Sequence, residues 1–160
     1  MDLDDGTFDV MVSECALCTF TDQPKALSEA YRVMRPCGRI GVTDVVVERE
    51  LPPRARSVLF HVACISGALP ARGYLEAMEG AGSRDILHED HSYAIEGLLH
   101  KGERMVMGWG FAERMYGVEL EAFTGMSLEE AKEMLAGARD WVARGDLGYG
   151  LFIGTRPSKG

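Results

Sequence analysis

FDVMVSECALCTF (residues 8–20), TDQPKALSEAYRVMRPCGRI (21–40) and GVTDVVV (41–47) read in succession as strand, helix, tight turn and strand. Asp5 and Gly6 form a turn ahead of Phe8, Asp9, Val10, Met11 and Val12, a short apolar run of the kind expected for a strand covered on both faces. The run closes at Ser13, Glu14 and Cys15, where the residues become polar and small. Asp22 is placed to cap a helix, and Pro24 falls in its first turn, where a missing N–H is no loss. Leu27, Ala30, Tyr31 and Met34 recur at helical spacing and give that helix one face to bury. Pro36 stops the helix, Gly38 allows a turn, and residues 40–47 make a second buried strand. Strand, crossover helix and strand at this spacing form a βαβ unit with a parallel pair.

DDGTFDVMVSE (4–14), ALSEAYRVMRP (26–36) and CGRIGVTD (37–44) resemble the fourth strand, fourth helix and fifth strand of class I S-adenosylmethionine-dependent methyltransferases. That family usually has Pro-Gly-Gly where this chain has Pro36, Cys37 and Gly38. The resemblance implies an α/β fold, the C-terminal half of a Rossmann-like sheet with parallel strands, an antiparallel last strand and helices on both faces. It also implies one partial domain over residues 1–160: a core at 8–47, a helical insertion at 92–145, and a terminal strand at 147–155 slotted between the fifth and sixth strands. The family grips its cofactor mainly through a glycine-rich turn after its first strand and a ribose-binding carboxylate after its second. Neither feature occurs in this sequence. The expectation is the substrate-side half of an enzyme, either a fragment or the product of an internal start.

Beyond residue 47, Leu51, Pro52 and Pro53 break the pattern, and a helix is expected over 54–66 with Val58, Leu59, Val62 and Ile65 on one side. Another is expected over 71–81, closed by Gly80 and Gly82. Residues 84–90 read as a strand and 92–107 as a helix, while 108–124 has no clear period. Ser127 and Glu130 have the spacing of a capping box and open a helix to Arg144.

Length and composition narrow the functional classes. A chain of 160 residues with 46% apolar and 26% charged residues is one globular domain rather than a disordered segment. The net charge is −8 and the basic residues are scattered, which argues against nucleic acid and against anionic membrane surfaces as partners. No apolar run approaches the roughly 18 residues of a membrane span, and the acidic start is unlike a signal peptide. A cytoplasmic protein is expected, with Cys15, Cys18, Cys37 and Cys64 as thiols.

Residues 13–15 and the stretch HVACISGAL (61–69) resemble the matching segments of arsenite methyltransferases, each of which carries one metalloid-binding cysteine. Carried over, Cys15 and Cys64 are the catalytic thiols that hold trivalent arsenic, a soft centre that selects sulfur over nitrogen or oxygen. Cys18, three residues after Cys15, can act as a third substrate-binding thiol if that segment turns helical. Glu14 and Ser13 fall where the family's sheet opens toward the S-adenosyl-L-methionine cofactor, with Glu14 also near the substrate.

Each of these residues has an ordinary reading as well. Free cysteine is among the most buried residue types, Glu14 can be a solvated turn carboxylate, and Asp44 can either orient substrate or cap the next loop. A Cys-x-x-Cys at 15–18 without a second pair is poor support for zinc. In residues 88–91, strand alternation sets His88 with Asp90 and Glu89 with His91 on opposite faces, so the four cannot converge on a metal. Three functions therefore compete: methylation of arsenite, methylation of an organic small molecule, and a non-catalytic four-stranded domain that dimerises through an open sheet edge.

Overall fold

The computed structural model describes residues 3–51, 67–117, 119 and 121–158. The helix expected over 54–66, and Cys64 with it, lie outside the described residues. The elements in chain order are β1 (Phe8–Glu14), α1 (Gln23–Val33), β2 (Met34–Val47), α2 (Ala71–Gly80), β3 (Arg84–Asp90), α3 (Tyr93–Tyr116), α4 (Glu121–Thr124), α5 (Leu128–Ala143) and β4 (Leu147–Thr155). A single 3₁₀ turn, Leu17–Thr19, stands between β1 and α1. They fall into two compact units, residues 1–91 with 148–160, and residues 92–147.

The first unit is built on a four-stranded sheet in the order β1-β2-β4-β3. β1 and β2 are parallel, with Val12 opposite Gly41 and Glu14 opposite Thr43. β3 and β4 are antiparallel, with His88 opposite Phe152. Cys37 and Gly38 bond to Arg156 at one end of β2, while Val46 packs against Gly150 near the other, so β4 runs against β2 as well. The last strand is thus slotted inside the sheet, as the family resemblance implies.

α1 starts where Asp22 accepts the Lys25 N–H at 3.0 Å. It ends at Val33, three residues before Pro36, because the ring would clash with the Arg32 carbonyl and the residue before proline disfavours the helical region. β2 begins at once with Met34, earlier than the expected residue 40, and carries a bulge where Cys37 adopts φ +66°. Alternation sends Ile40, Val42 and Val46 into a core shared with Leu27 and Tyr31 of α1, Tyr74 and Met78 of α2, and Phe152 of β4.

β1 differs from expectation. It stands at the end of the sheet, and Val10 and Val12 are 60% and 76% exposed, so it is not covered on both faces among the described residues. In the second unit, α3 runs nine residues past the expected end at 107 and stops at Gly117, whose φ of +65° gives the left-handed cap. α5 opens on the expected capping box, with Ser127 and Glu130 each serving the other's backbone N–H. Among the described residues no helix is long and apolar enough to cross a membrane.

Candidate active site

Parallel strands leave their side chains and last carbonyls converging at one edge of the sheet, and here the carboxyl ends of β1 and β2 do so beside the start of β4. The Cys15 N–H donates to the Thr43 carbonyl at 2.8 Å, which extends the ladder one residue beyond β1. Cys15 then takes φ +44°, a left-handed conformation that costs an L-residue on the order of 1 kcal/mol, and the chain turns into Leu17–Thr19. Its half-buried Sγ lies 3.3 Å from Tyr149 Oη of β4.

The turn that follows is pinned from below. Asp44 is fully buried on the core side of β2, and its Oδ2 accepts the Cys18 N–H at 2.9 Å while its Oδ1 accepts the Val45 N–H at 2.9 Å. A buried carboxylate bound twice to backbone N–H groups fixes the turn after β1, not the loop after β2 that the cap reading named. Tyr74, also fully buried, donates its hydroxyl to the Val45 carbonyl at 3.0 Å. Burial, then the Asp44 carboxylate, push the Tyr74 phenol far above its usual range, with smaller contributions from Cys18 and Cys15. Burial and the bond to Cys15 push Tyr149 up to about 12, against a hydroxyl of Thr43 that bonds it and favours ionisation.

A cleft of about 540 Å³ opens beside these groups, between β1, the 3₁₀ turn and α1. Met11, Leu17, Leu27 and Val42 give it an apolar lining, and Ser13 and Glu14 are polar groups on its wall. The two residues proposed for the cofactor therefore share one cavity. Half-buried Ser13 offers a hydroxyl and exposed Glu14 a carboxylate, a donor set suited to one flank of a ligand with polar and cationic groups.

The cysteines separate by environment. Cys15 is half-buried, Cys37 is exposed on the β2 bulge, and Cys18 is buried at 1% exposure with its backbone on Asp44. Gly67, just past the undescribed segment, packs so closely on the 3₁₀ turn that an added methyl group would overlap the Cys18 carbonyl, and its own carbonyl accepts Gln23 Nε2 at 2.6 Å. In the 88–91 stretch, His88 stacks on Phe152 at 4.6 Å and His91 meets Glu89 at 3.0 Å, the alternation expected of a strand. Tyr149, Thr43 and Tyr74 are the members of the site that the sequence did not single out.

The chain is similar to several known proteins. A stretch of 70 residues is 37% identical to an arsenite methyltransferase of Aquipseudomonas alcaligenes, covering 43% of this chain and 20% of that protein. Over 152 residues the chain is 26% identical to a sarcosine/dimethylglycine N-methyltransferase of Halorhodospira halochloris, covering 93% of this chain and 51% of the relative. The solved structure of Haemonchus contortus phosphoethanolamine N-methyltransferase 2 in complex with S-adenosyl-L-methionine superposes with a TM-score of 0.72 at 16% identity, over 98% of this chain and 35% of the other. The chain thus spans about half or less of the length of these relatives. Residues 1–102 match the methyltransferase domain family, and by that match the chain belongs to it.

Proposed function

We propose that this chain forms the acceptor side of an S-adenosylmethionine-dependent methyltransferase whose substrate is trivalent arsenic, held by Cys15 and Cys64. The observation that carries this reading is the approach of Gly67 to the Cys18 carbonyl. Cys64 precedes Gly67 by three residues and Cys15 precedes Cys18 by three, and three residues of chain reach no more than about 11 Å. That length of chain allows the two thiols to reach one arsenic atom. The arsenite methyltransferase similarity supports the same acceptor.

S-adenosylmethionine supplies a methyl group on a positively charged sulfur. The Ser13 hydroxyl and Glu14 carboxylate would offer it polar contacts at the wall of the apolar cleft. Two thiolates hold arsenic in one orientation, and positioning of this kind replaces acid–base assistance in an in-line displacement. Cys18, buried in the turn, serves packing in this scheme.

The Halorhodospira relative favours a second reading, an amine acceptor, because its similarity extends over nearly the whole chain. Peptide-resolved alkylation separates the two. Arsenite near stoichiometric concentration should protect Cys15 and Cys64 while leaving exposed Cys37 reactive, and millimolar dimethylglycine should protect none. Protection of Cys37 to the same degree, or of neither Cys15 nor Cys64, would remove the metalloid assignment.

A further inference from the structure

Three strands contribute to one line of hydroxyl and sulfur atoms: Thr43 from β2, Tyr149 from β4 and Cys15 just beyond β1. Tyr149 Oη stands 3.3 Å from Cys15 Sγ, and the Cys15 N–H donates to the Thr43 carbonyl at 2.8 Å. We infer that Tyr149 is a positioning residue for Cys15, donating its hydroxyl proton to the thiolate and fixing the direction of the sulfur lone pairs.

The direction of the bond follows from what each atom can do. A thiolate has no proton to give, so in the reactive state the phenol must be the donor. Tyr149 keeps its proton throughout the neutral range, because burial and the sulfur neighbour raise its ionisation. The Thr43 hydroxyl acts on the same phenol in the opposite sense, favouring its ionisation. The left-handed backbone of Cys15 aims the side chain at β4 rather than along its own strand.

Titratable groups near this pair, among the described residues, include Glu14, Asp44, Cys18 and Tyr74, with His91, just past β3, donating its backbone N–H to the Tyr149 carbonyl at 2.7 Å. Glu14 and Asp44 are carboxylates, whose charge opposes a thiolate nearby. Tyr149 is the donor placed to offset them. The chemical purpose of the arrangement rests on the metalloid reading above. Each capture exchanges an As–O bond of arsenite for an As–S bond, and the thiol proton leaves with the displaced hydroxide as water.

The test reads Cys15 without arsenic. The rate of iodoacetamide alkylation at Cys15, resolved by peptide mass spectrometry, is measured against pH in the intact chain, in Tyr149→Phe and in Thr43→Val, with Cys37 as internal standard. Loss of a hydrogen bond to a charged sulfur should move the Cys15 midpoint up by about one pH unit in Tyr149→Phe, a roughly tenfold loss of thiolate below it, and by less in Thr43→Val. The Cys37 profile should not move. An unmoved Cys15 midpoint in both variants, or a Cys15 equally unreactive in all three proteins, would overturn the inference. Arsenite protection is measured in the same samples, so that failure of the metalloid assignment with a shifted midpoint is distinguishable from failure of the Tyr149 role.

Discussion

At the scale of single residues, Asp44 and Tyr149 show how burial converts an ambiguous residue into one with a definite role. Asp44→Ala would leave the Cys18 and Val45 N–H groups buried without their acceptor. Urea unfolding should show a loss of about 2–4 kcal/mol, larger than the cost of losing one ordinary hydrogen bond. Tyr149 predicts an alkaline effect whose sign follows from its raised ionisation. In the unfolded chain it loses its proton near 10, and in the folded chain only at about 12. Its contribution to stability is therefore complete below pH 10 and is lost as the pH rises to about 12. Tyr149→Phe should flatten the fall of the urea midpoint across that interval, and an unchanged slope would contradict the assignment. The sequence picked out Cys15 but not Tyr149, which lies 134 residues away. Strand periodicity says which face a residue takes and nothing about which strand will stand beside it. It also left Asp44 evenly divided, because only its burial and two N–H partners assign it to the turn after β1.

Among the elements, those with local signals were legible and those with remote causes were not. The capping box at Ser127, the Asp22 cap and the strand at Leu147–Thr155 all follow from residues within a few positions of each other. The early start of β2 does not, since it depends on a bulge set by pairing with β1 and by Arg156. Arg156 also places its guanidinium where α1 passes into β2, bonding the carbonyls of Tyr31 and Arg32 in the last turn of the helix and of Met34 just after it. A cation at a helix C-terminus satisfies acceptors that the helix cannot pair itself and meets the negative end of its dipole. Arg156→Ala should therefore lower stability by about 1–3 kcal/mol and lower the helical signal of α1 first, read by hydrogen exchange at residues 30–34. Uniform loss of protection across the sheet, with no earlier loss at those residues, would count against a local cap. The end of α3 was missed for a different reason: Gly108 and Gly110 interrupt the apolar period, yet the helix continues through both to Tyr116.

For the whole molecule, the order β1-β2-β4-β3 explains both the family match and the exposed end of the sheet. A strand at the end of a sheet with two valines largely in solvent offers an edge of the kind to which another strand can add. If copies of this chain associate there, sedimentation should show a concentration-dependent dimer that Val12→Lys shifts to monomer, while an unchanged distribution would place any association elsewhere. The same strand carries Ser13, Glu14 and Cys15 at its other end, so the edge and the chemistry are properties of one element. The central claim is that Cys15 and Cys64 hold a single arsenic atom. Arsenic-edge X-ray absorption of the arsenite complex tests it most directly: the account predicts at least two As–S bonds, one fewer in Cys15→Ser and in Cys64→Ser, and no change in Cys37→Ser. An As–S number that survives both of the first two substitutions, or that falls with Cys37→Ser alone, would contradict it.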